Sequence, residues 1–430
     1  MFVQIHMLQS LPPGNVNRDD RGQPKMCMFG GVTRGRISSQ AQKRAIRFSQ
    51  EFADAFGSAL GSRTRYLPQM VADEVKRLSP ATKNDELDKI KAALAAQFKK
   101  EKKGRTQDED DGRGEENLSE SDGAADGDGA TGCTGQIVFI SQPFAAEAAE
   151  QLANFRTADP KAYRMFLGDR TERGTSKSDQ DALKKTVDRL IENIGVASKS
   201  LTVDIGLFGR MTTSDLVVDV EAACQVAHAI STHEVITEND YFTAADDLQK
   251  RYASGQVGRA GAGFVSDEGF FNSAVYYKYL NADLDALQKH LQSEGARGAA
   301  RAGAALLKAA ACANPTGKQN SFAAHGVTEL ILVEVSRIRR PMSYANAFLQ
   351  AVEGGRGRNL MTESVRALYE YIDSVAGAFA PSDTRRALLA IGGASRPQLP
   401  KTAHIQVATL DEAASWLEGA AVPAGQKAKS

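Results

Sequence analysis

The chain of 430 residues is 42% hydrophobic and 25% charged, proportions typical of a water-soluble globular protein with more than one lobe. No apolar run approaches the length of a membrane-spanning helix, and the N-terminal segment lacks the basic region and cleavage site of a signal peptide. The four cysteines are scattered without a C-x-x-C pair. This pattern favours reduced thiols in a cytoplasmic protein over disulfides or a zinc site.

Charge is unevenly distributed along the chain. The 53 basic and 53 acidic side chains cancel, but residues 1–50 carry eight basic side chains against two acidic ones. Residues 107–130 carry ten acidic side chains against Arg113 alone. A chain that is neutral overall can still produce a strong local field. The zero net charge therefore does not exclude a nucleic-acid partner.

The N-terminal part reads as a strand, a loop and a helix. Residues 2–9 alternate like a strand, and a long polar loop then runs through residues 11–20 to Gly30-Gly31. A loop of this length and polarity is more often functional than a simple connector. The helix that follows is predicted to begin with Ser39 as its cap, and Gln42 completes a capping box.

This helix is predicted to have a basic N-terminal end. Arg34 and Arg36 lie just before it. At about 100° per residue, one arc of the helix is polar or basic and holds Gln40, Lys43, Arg44 and Arg47. The neighbouring arc is apolar and predicted to face the core: Ala41, Ala45, Phe48, Phe52 and Phe56. Helix N-termini attract anions, so the backbone of a polyanion is the expected ligand, and a solvated basic face is the alternative.

The remaining elements are predicted to be helices, alone or in succession, separated by single strands. Helices are expected over 70–100, 145–195, 219–231, 284–292, 297–312, 342–353, 360–378 and 410–418, and strands over 201–208, 270–279, 328–335 and 402–408. Residues 101–135 are expected to be disordered because they contain few apolar side chains. This order predicts an α+β sandwich of the ferredoxin or RRM kind.

Sequence signatures of common catalytic sites are missing. The chain has no P-loop, no G-x-G-x-x-G, no H-E-x-x-H and no G-x-S-x-G, and we expect no cofactor or metal. His228 and His233 are five residues apart and are interpreted as structural. Asp19-Asp20 and Asp246-Asp247 are adjacent carboxylates that could bind magnesium, although such pairs more often belong to turns or helices.

Two places supply aromatic or soft apolar side chains for base stacking. Met211 follows the predicted strand 201–208, and Phe242 with Thr243 lies in the turn-rich residues 233–267. Stacking of a base on such a side chain is worth roughly 1–3 kcal/mol and tolerates any base. The alternative is that Met211 and Phe242 belong to the core.

Seven motifs occur in an order that resembles a known family. They are Asn17-Arg18-Asp19-Asp20, Gly30-Gly31, residues 36–45 (RISSQAQKRA), residues 209–214 (GRMTTS), residues 227–233 (AHAISTH), residues 240–244 (DYFTA) and residues 343–348 (SYANAF). Together they resemble the CasC family, the backbone subunit of the type I-E CRISPR effector complex Cascade. The resemblance runs from residue 2 to about residue 350.

The resemblance implies a hand-shaped α+β protein that binds RNA without cutting it. A modified RRM (ferredoxin-like) palm would comprise 1–70, 196–232 and 268–430, the last including C-terminal helices. Helical fingers would comprise 71–195, with the disordered acidic segment 101–135, and a β-hairpin thumb would comprise 233–267. Copies would stack into a helical filament along the guide RNA (crRNA), kinking it for pairing with target DNA. Further implied partners are CasA, CasB, CasD and CasE type subunits and a recruited helicase-nuclease, in a prokaryotic cytoplasm.

The resemblance also assigns site residues by position. Contacts to the RNA backbone would come from Arg18, Lys25, Ser38, Gln40, Lys43, Arg44, Arg47, Lys318 and Gln319, beside the Arg34 and Arg36 already singled out. Met211, Phe242 and Thr243 would wedge at the kink. The chain departs from the family at the long acidic segment and at Val32-Thr33, where more positive charge is expected. Two other hypotheses stay open: a metal-dependent RNA-cleaving subunit of a type III-like complex using Asp19 or Asp20, and a soluble enzyme of unknown class.

Overall fold

The fold was analysed in a computed structural model. It describes residues 1–57, 60–97, 133–134, 137–169, 176–197, 201–211, 217–240, 243–244, 263–265, 269–291, 295–355 and 357–422. Two units are present: unit 1 contains residues 1–55, 225–285 and 296–430, and unit 2 contains residues 56–224 and 286–295. Unit 2 therefore extends beyond the predicted finger range of 71–195 at both ends. Almost all of the predicted disordered segment 101–135 lies outside the described residues.

The strands of the described residues include two long ones, which form the centre of the main sheet. In chain order they are β1 (Phe2–Gly14), β2 (Met26–Phe29), β3 (Val32–Ile37), β4 (Ser62–Thr64), β5 (Val138–Ile140), β6 (Cys224–Val226), β7 (Ala229–Ser231), β8 (Glu238–Asn239), β9 (Thr243–Ala244), β10 (Gly263–Val265), β11 (Phe270–Asp283), β12 (Thr328–Ser336), β13 (Arg385–Ala390) and β14 (Ile405–Gln406).

The described helices fall into both units. In chain order they are α1 (Ser39–Arg47), α2 (Gln50–Phe56), α3 (Leu67–Leu78), α4 (Asn84–Gln97), α5 (Gln142–Ala158), α6 (Pro160–Phe166), α7 (Lys177–Ala197), α8 (Val203–Phe208), α9 (Leu284–Leu291), α10 (Gly295–Cys312), α11 (Gln319–Phe322), α12 (Leu360–Phe379) and α13 (Leu410–Ala421). Short 3₁₀ helices occupy Ala345–Phe348 and Gly392–Ser395.

Unit 1 is organised around one mixed sheet. Its strand order is β14-β13-β12-β1-β11-β7-β3-β2, and β6 and β8 also pair with β11. β1 runs antiparallel to both neighbours, with Ile5 opposite Leu280 and Val333, whereas β13 and β14 run parallel. The predicted α+β class is confirmed. Four neighbouring strands of the sheet lie side by side in the order β12-β1-β11-β7. Along the chain, α1 lies between β1 and β7, and α10 lies between β11 and β12. The chain order is therefore β-α-β-β-α-β.

The core of unit 1 lies on both faces of this sheet because β1 is buried along most of its length. On one face, Leu8, Tyr277 and Leu332 pack with Val365 and Leu368 of α12. Burying a side chain of this size contributes about 1.5–3 kcal/mol. The same face buries a polar cluster in which Glu334 accepts a 2.6 Å hydrogen bond from Arg386 Nε and lies 3.5 Å from His6 Nε2. Burial opposes ionisation of Glu334, but His6 and Arg386 outweigh it and lower the pKa of this carboxyl.

Unit 2 has a helical core of its own. Apolar side chains of α3, α4, α5, α6 and α7 pack together around Phe144, Leu152 and Ile194. The short strands β4 and β5 pair with Ser62 opposite Ile140.

In the described ranges, no helix has the length and apolar character needed to cross a membrane.

Three predicted elements differ from the structure. Residues 201–208, predicted as a strand, contain helix α8, and all of its residues are buried, so their alternation did not mark two faces. The predicted helix 219–231 is wrong: this stretch holds the strands β6 and β7, which pair with β11. The predicted helix 342–353 is only the 3₁₀ turn Ala345–Phe348. Tertiary pairing overrides helix propensity in such short alanine-containing stretches.

Candidate nucleic-acid interface

The loop after β1 is held in a fixed conformation by side-chain amides and carboxylates. Asn15 is buried, and its Nδ2 donates to the carbonyl oxygens of Gly22 and Phe270 at 2.9 and 2.8 Å. Asp19 Oδ1 accepts from the backbone N–H groups of Arg21 and Gln23 at 3.0 and 2.9 Å, which closes an Asx turn. The loop therefore presents its remaining side chains from a rigid backbone.

Asp19 and Asp20 differ in their surroundings. One Asp19 oxygen is engaged by the turn, whereas Asp20 is exposed. Across the described residues, no group of three or more His, Cys, Asp or Glu side chains is placed to hold a metal ion. The geometry of Asp19 is thus that of a turn residue.

The N-terminus of α1 is capped one residue earlier than predicted. Ser38 is the N-cap, and its Oγ accepts from the backbone N–H of Ala41 at 3.2 Å. The predicted Ser39–Gln42 capping box is wrong because Gln42 is buried, and its Nε2 donates to the carbonyl oxygens of Ile37 and Ala227 at 3.3 and 2.8 Å. The Gln42 side chain therefore makes its hydrogen bonds inside the fold and does not cap the helix.

Two further contacts fix the start of α1. The backbone N–H of Ser38 donates to Asn17 Oδ1 at 2.8 Å, which ties the helix to the loop after β1. The backbone N–H of Ser39 donates to His228 Nδ1 at 3.2 Å, and Arg36 Nη1 lies 3.5 Å from the same nitrogen. His228, interpreted from the sequence as structural, therefore contacts the first residue of α1 and the arginine before it.

Arg34 is separated from the other basic candidates because it is completely buried. Its Nε, Nη1 and Nη2 donate to the carbonyl oxygens of Phe29, Ser231 and Phe348 at 3.2, 3.0 and 2.8 Å. Burial lowers its pKa from the ordinary arginine value, partly offset by Cys27 and Glu234. This guanidinium joins three segments of unit 1 and is not part of the exposed surface.

The other candidates near α1 differ in exposure. Arg18, Gln40 and Arg44 are exposed, Lys25, Arg36 and Lys43 are half-buried, and Ser38 and Arg47 are buried. The structure brings the loop residues and the helix residues together because the backbone of Lys25 pairs with both Asn17 and Arg36, at 2.9 and 2.8 Å. We define these eight residues as the basic surface.

The turn with Lys318 and Gln319 lies next to the loop after β1. A Cβ atom on Gly317 would come within 2.5 Å of the carbonyl oxygen of Val16, so the two backbones touch. Lys318 has a left-handed backbone with φ of 49° and is half-buried. Gln319 Nε2 donates to Pro315 and Ala324 carbonyl oxygens, both at 3.4 Å, which stabilises the turn. Lys318 is thereby placed near the loop that carries Arg18.

The predicted wedge residues are placed only in part. Met211 belongs to unit 2 and is 53% exposed, directly after Arg210. The Arg210 guanidinium donates to the carbonyl oxygens of Val218 and Phe139, and burial lowers its pKa to about 10. Phe242 lies outside the described residues. Thr243 begins β9, which pairs antiparallel with β10 in unit 1.

Sequence reasoning missed Asn17 as a link, His228 as a helix-end contact and Phe48 as a surface residue. Phe48 was predicted to face the core, but it is 70% exposed, with the Arg44 and Arg47 guanidiniums 5.0 and 5.5 Å from its ring centroid. Asn17 could have been found from the sequence because it belongs to the motif Asn17-Arg18-Asp19-Asp20. The role of His228 depends on a contact with Ser39, which is remote in sequence, and the exposure of Phe48 depends on the end of α1.

The fold and this surface define an α+β protein with an exposed basic loop-helix surface on a mixed sheet. The family described as CT1975-like protein matches residues 3–416, so the chain belongs to that family. No curated protein sequence matches the chain.

Solved structures similar to the chain carry related descriptions. One is described as a CRISPR RNA-guided surveillance complex, pre-nicking; a chain of it is 27% identical, with 98% of this chain and 100% of that chain covered and a TM-score of 0.71. A second, described as a CRISPR RNA-guided surveillance complex, is 23% identical, with 97% and 100% covered and a TM-score of 0.64, which supports the fold alone.

Proposed function

We propose that this chain is a guide-RNA-binding backbone subunit of a Cascade-type CRISPR effector complex. The observation that carries the proposal is the similarity over 98% of the chain to a chain of a CRISPR RNA-guided surveillance complex. Within that class we propose the type I-E, CasC-like role: a non-catalytic subunit that polymerises along crRNA in a prokaryotic cytoplasm. It would present kinked guide segments to target DNA, beside CasA, CasB, CasD and CasE type subunits and a recruited helicase-nuclease.

The basic surface supports binding to an RNA backbone and not to particular bases. Its cations and its helix N-terminus are groups that contact phosphates, and phosphate contacts carry no sequence information. A subunit that repeats along a guide must accept any base, so such contacts suit the role. The β-α-β-β-α-β arrangement of unit 1 is consistent with the proposed palm, and the β9–β10 pair with the proposed thumb.

Assembly on RNA tests this proposal. The full-length chain is mixed with single-stranded RNAs of one to several tens of nucleotides, of mixed sequence and of poly-uridine, and the complex mass is measured. We expect binding to both sequences and a copy number that rises stepwise with RNA length. A chain that binds no RNA at low salt would contradict the proposal, and binding of a fixed single copy would contradict polymerisation.

A cleavage assay tests the non-catalytic part. End-labelled RNA complementary to the guide is incubated with the assembled complex and magnesium ions, and we expect it to remain intact. Cleavage that disappears in Asp19→Ala or Asp20→Ala would support the type III-like alternative. The Asx turn at Asp19 means that Asp19→Asn, which keeps the accepting oxygen, is the better-folded variant for this assay.

A further inference from the structure

The exposed position of Phe48 results from a break between α1 and α2. Phe48 is the C-cap of α1, where the backbone leaves the helical conformation with φ of −102° and ψ of 10°, and Ser49 Oγ accepts from the N–H of Phe52 at 3.2 Å at the start of α2. A single helix through both would place Phe48 and Phe52 on one face, because they are four residues apart. The break instead leaves Phe52 fully buried and Phe48 70% exposed.

The exposed ring of Phe48 is occupied by arginine side chains. The Cζ atoms of Arg44 and Arg47 lie 5.0 and 5.5 Å from its centroid, within the range of cation–π attraction. Arg47 is only 6% exposed, so one end of this cluster is anchored in the protein. Arg44 is exposed.

The guanidinium of Arg44 keeps its hydrogen-bonding edge available. A cation–π contact uses none of the guanidinium N–H groups as hydrogen-bond donors, so they stay available for a carboxylate or phosphate. In the part of the chain that the structure describes, no hydrogen bond or ion pair engages this guanidinium. A side chain already held in place loses less rotamer freedom when it binds a ligand.

We propose that Phe48 is a positioning residue of the RNA site: its ring holds the Arg44 guanidinium at the surface with its N–H edge open to a phosphate of the guide backbone. This inference rests on the proposed function. The expected contribution of Phe48 to RNA affinity is a factor of roughly two to five, because a cation–π contact at an exposed site changes an equilibrium constant by about this factor.

A double-mutant cycle tests the proposal in the full-length chain. Phe48→Leu, Arg44→Ala and the double variant are titrated with one labelled single-stranded RNA at several salt concentrations. We expect Phe48→Leu to weaken binding about two- to fivefold when Arg44 is present and to have no further effect when Arg44 is alanine. Phe48→Tyr, which keeps the ring face, should bind like the unaltered chain.

The outcomes separate this inference from the proposed function. If the unaltered chain binds RNA and Phe48→Leu binds equally well, the positioning role is overturned and the function stands. If Phe48→Leu weakens binding equally in both backgrounds, the ring contacts RNA itself, which also overturns positioning through Arg44. Absence of RNA binding by the unaltered chain would contradict the proposed function. Thermal unfolding checks that Phe48→Leu is folded, as its exposed ring leads us to expect.

Discussion

The Oδ1 atom of Asn17 accepts a 2.8 Å hydrogen bond from the backbone N–H of Ser38. This bond joins the loop after β1 to the N-cap residue of α1, and it adds to the backbone hydrogen bonds of Lys25 that also link the two parts of the basic surface. Ser38 in turn accepts from Ala41. The position of the cationic side chains therefore depends on small polar groups that carry no charge themselves.

The cap residue can be distinguished from its neighbour by substitution. Ser38→Ala removes the Oγ acceptor of the Ala41 N–H, so we expect the free energy of unfolding to fall by about 1 kcal/mol. Ser39→Ala is the matched control, with an expected change within about 0.5 kcal/mol. Urea denaturation of both variants measures the difference. A larger loss for Ser39→Ala would contradict the assignment of the cap.

Replacing Arg34 is predicted to lower the stability of the fold, whereas replacing Arg44 is predicted to weaken RNA binding. Arg34→Ala leaves the Ser231 and Phe348 carbonyl oxygens without their donors in the core, at about 1–3 kcal/mol for each unsatisfied group, so we expect a large loss of stability. Arg44→Ala removes an exposed side chain and should change stability by no more than about 0.5 kcal/mol while weakening RNA binding. Chemical denaturation and RNA titration are measured for both. A stable Arg34→Ala chain would show that its three hydrogen bonds are dispensable.

Gly30 and Gly31 offer a second matched pair. Both have positive φ, +63° and +82°, but a Cβ on Gly30 would lie 1.6 Å from the Leu349 carbonyl oxygen, whereas one on Gly31 would meet nothing within 4 Å. Gly31→Ala should cost only backbone strain, about 1–2 kcal/mol. Gly30→Ala must also displace residue 349, so we expect a clearly larger loss of stability in thermal or urea unfolding. Equal losses would mean that this close approach does not constrain the turn.

His233 gives unit 1 a pH-dependent stability. Burial lowers its pKa, with Arg34 adding to the effect and the Glu234 carbonyl opposing it. The imidazole is neutral, since Nδ1 lies 2.7 Å from the carbonyl oxygen of Glu234 and Nε2 accepts from the Val275 N–H at 3.2 Å. The unfolded chain therefore takes up a proton first as pH falls.

The free energy of unfolding should accordingly be at its full value above about pH 6.5, the ordinary histidine pKa, and decrease below it. His233→Gln, which keeps a donor and an acceptor, should flatten this dependence. His325→Gln, at an exposed position, is the control and should leave it unchanged. Urea denaturation across this pH range decides between them, and an unaltered slope in His233→Gln would contradict the assignment.

Sequence periodicity predicted the elements whose burial is determined locally. The helix predicted over 360–378 is α12, Leu360–Phe379, because its apolar positions repeat along one face of a long helix. The strands predicted over 2–9 and 328–335 are the central β1 and β12, whose apolar runs are long enough to be recognised. The helix predicted over 219–231 was wrong because β6 and β7 form by pairing with strands that are remote in the sequence, β6 with β11 and β7 with both β11 and β3.

The candidate site was predictable in position but not in the orientation of its side chains. A sequence shows that Arg34 and Arg36 are both basic, but not that carbonyl groups of Phe29, Ser231 and Phe348 converge on Arg34. Helical spacing likewise cannot show that the helix stops at Arg47 and turns Phe48 outward. Both outcomes depend on backbone geometry set by distant residues.

The salt dependence of RNA affinity tests the claim that the basic surface binds an RNA backbone. Lys43→Ala with Arg44→Ala is compared with Lys161→Ala with Arg164→Ala, which removes the same charge from the exposed side of α6. We predict that the first pair lowers affinity at least tenfold and reduces the slope of log affinity against log salt by about 1.4, corresponding to two phosphate contacts on a single strand. The control should leave both unchanged. Equal affinity and slope in the two double variants would contradict the claim.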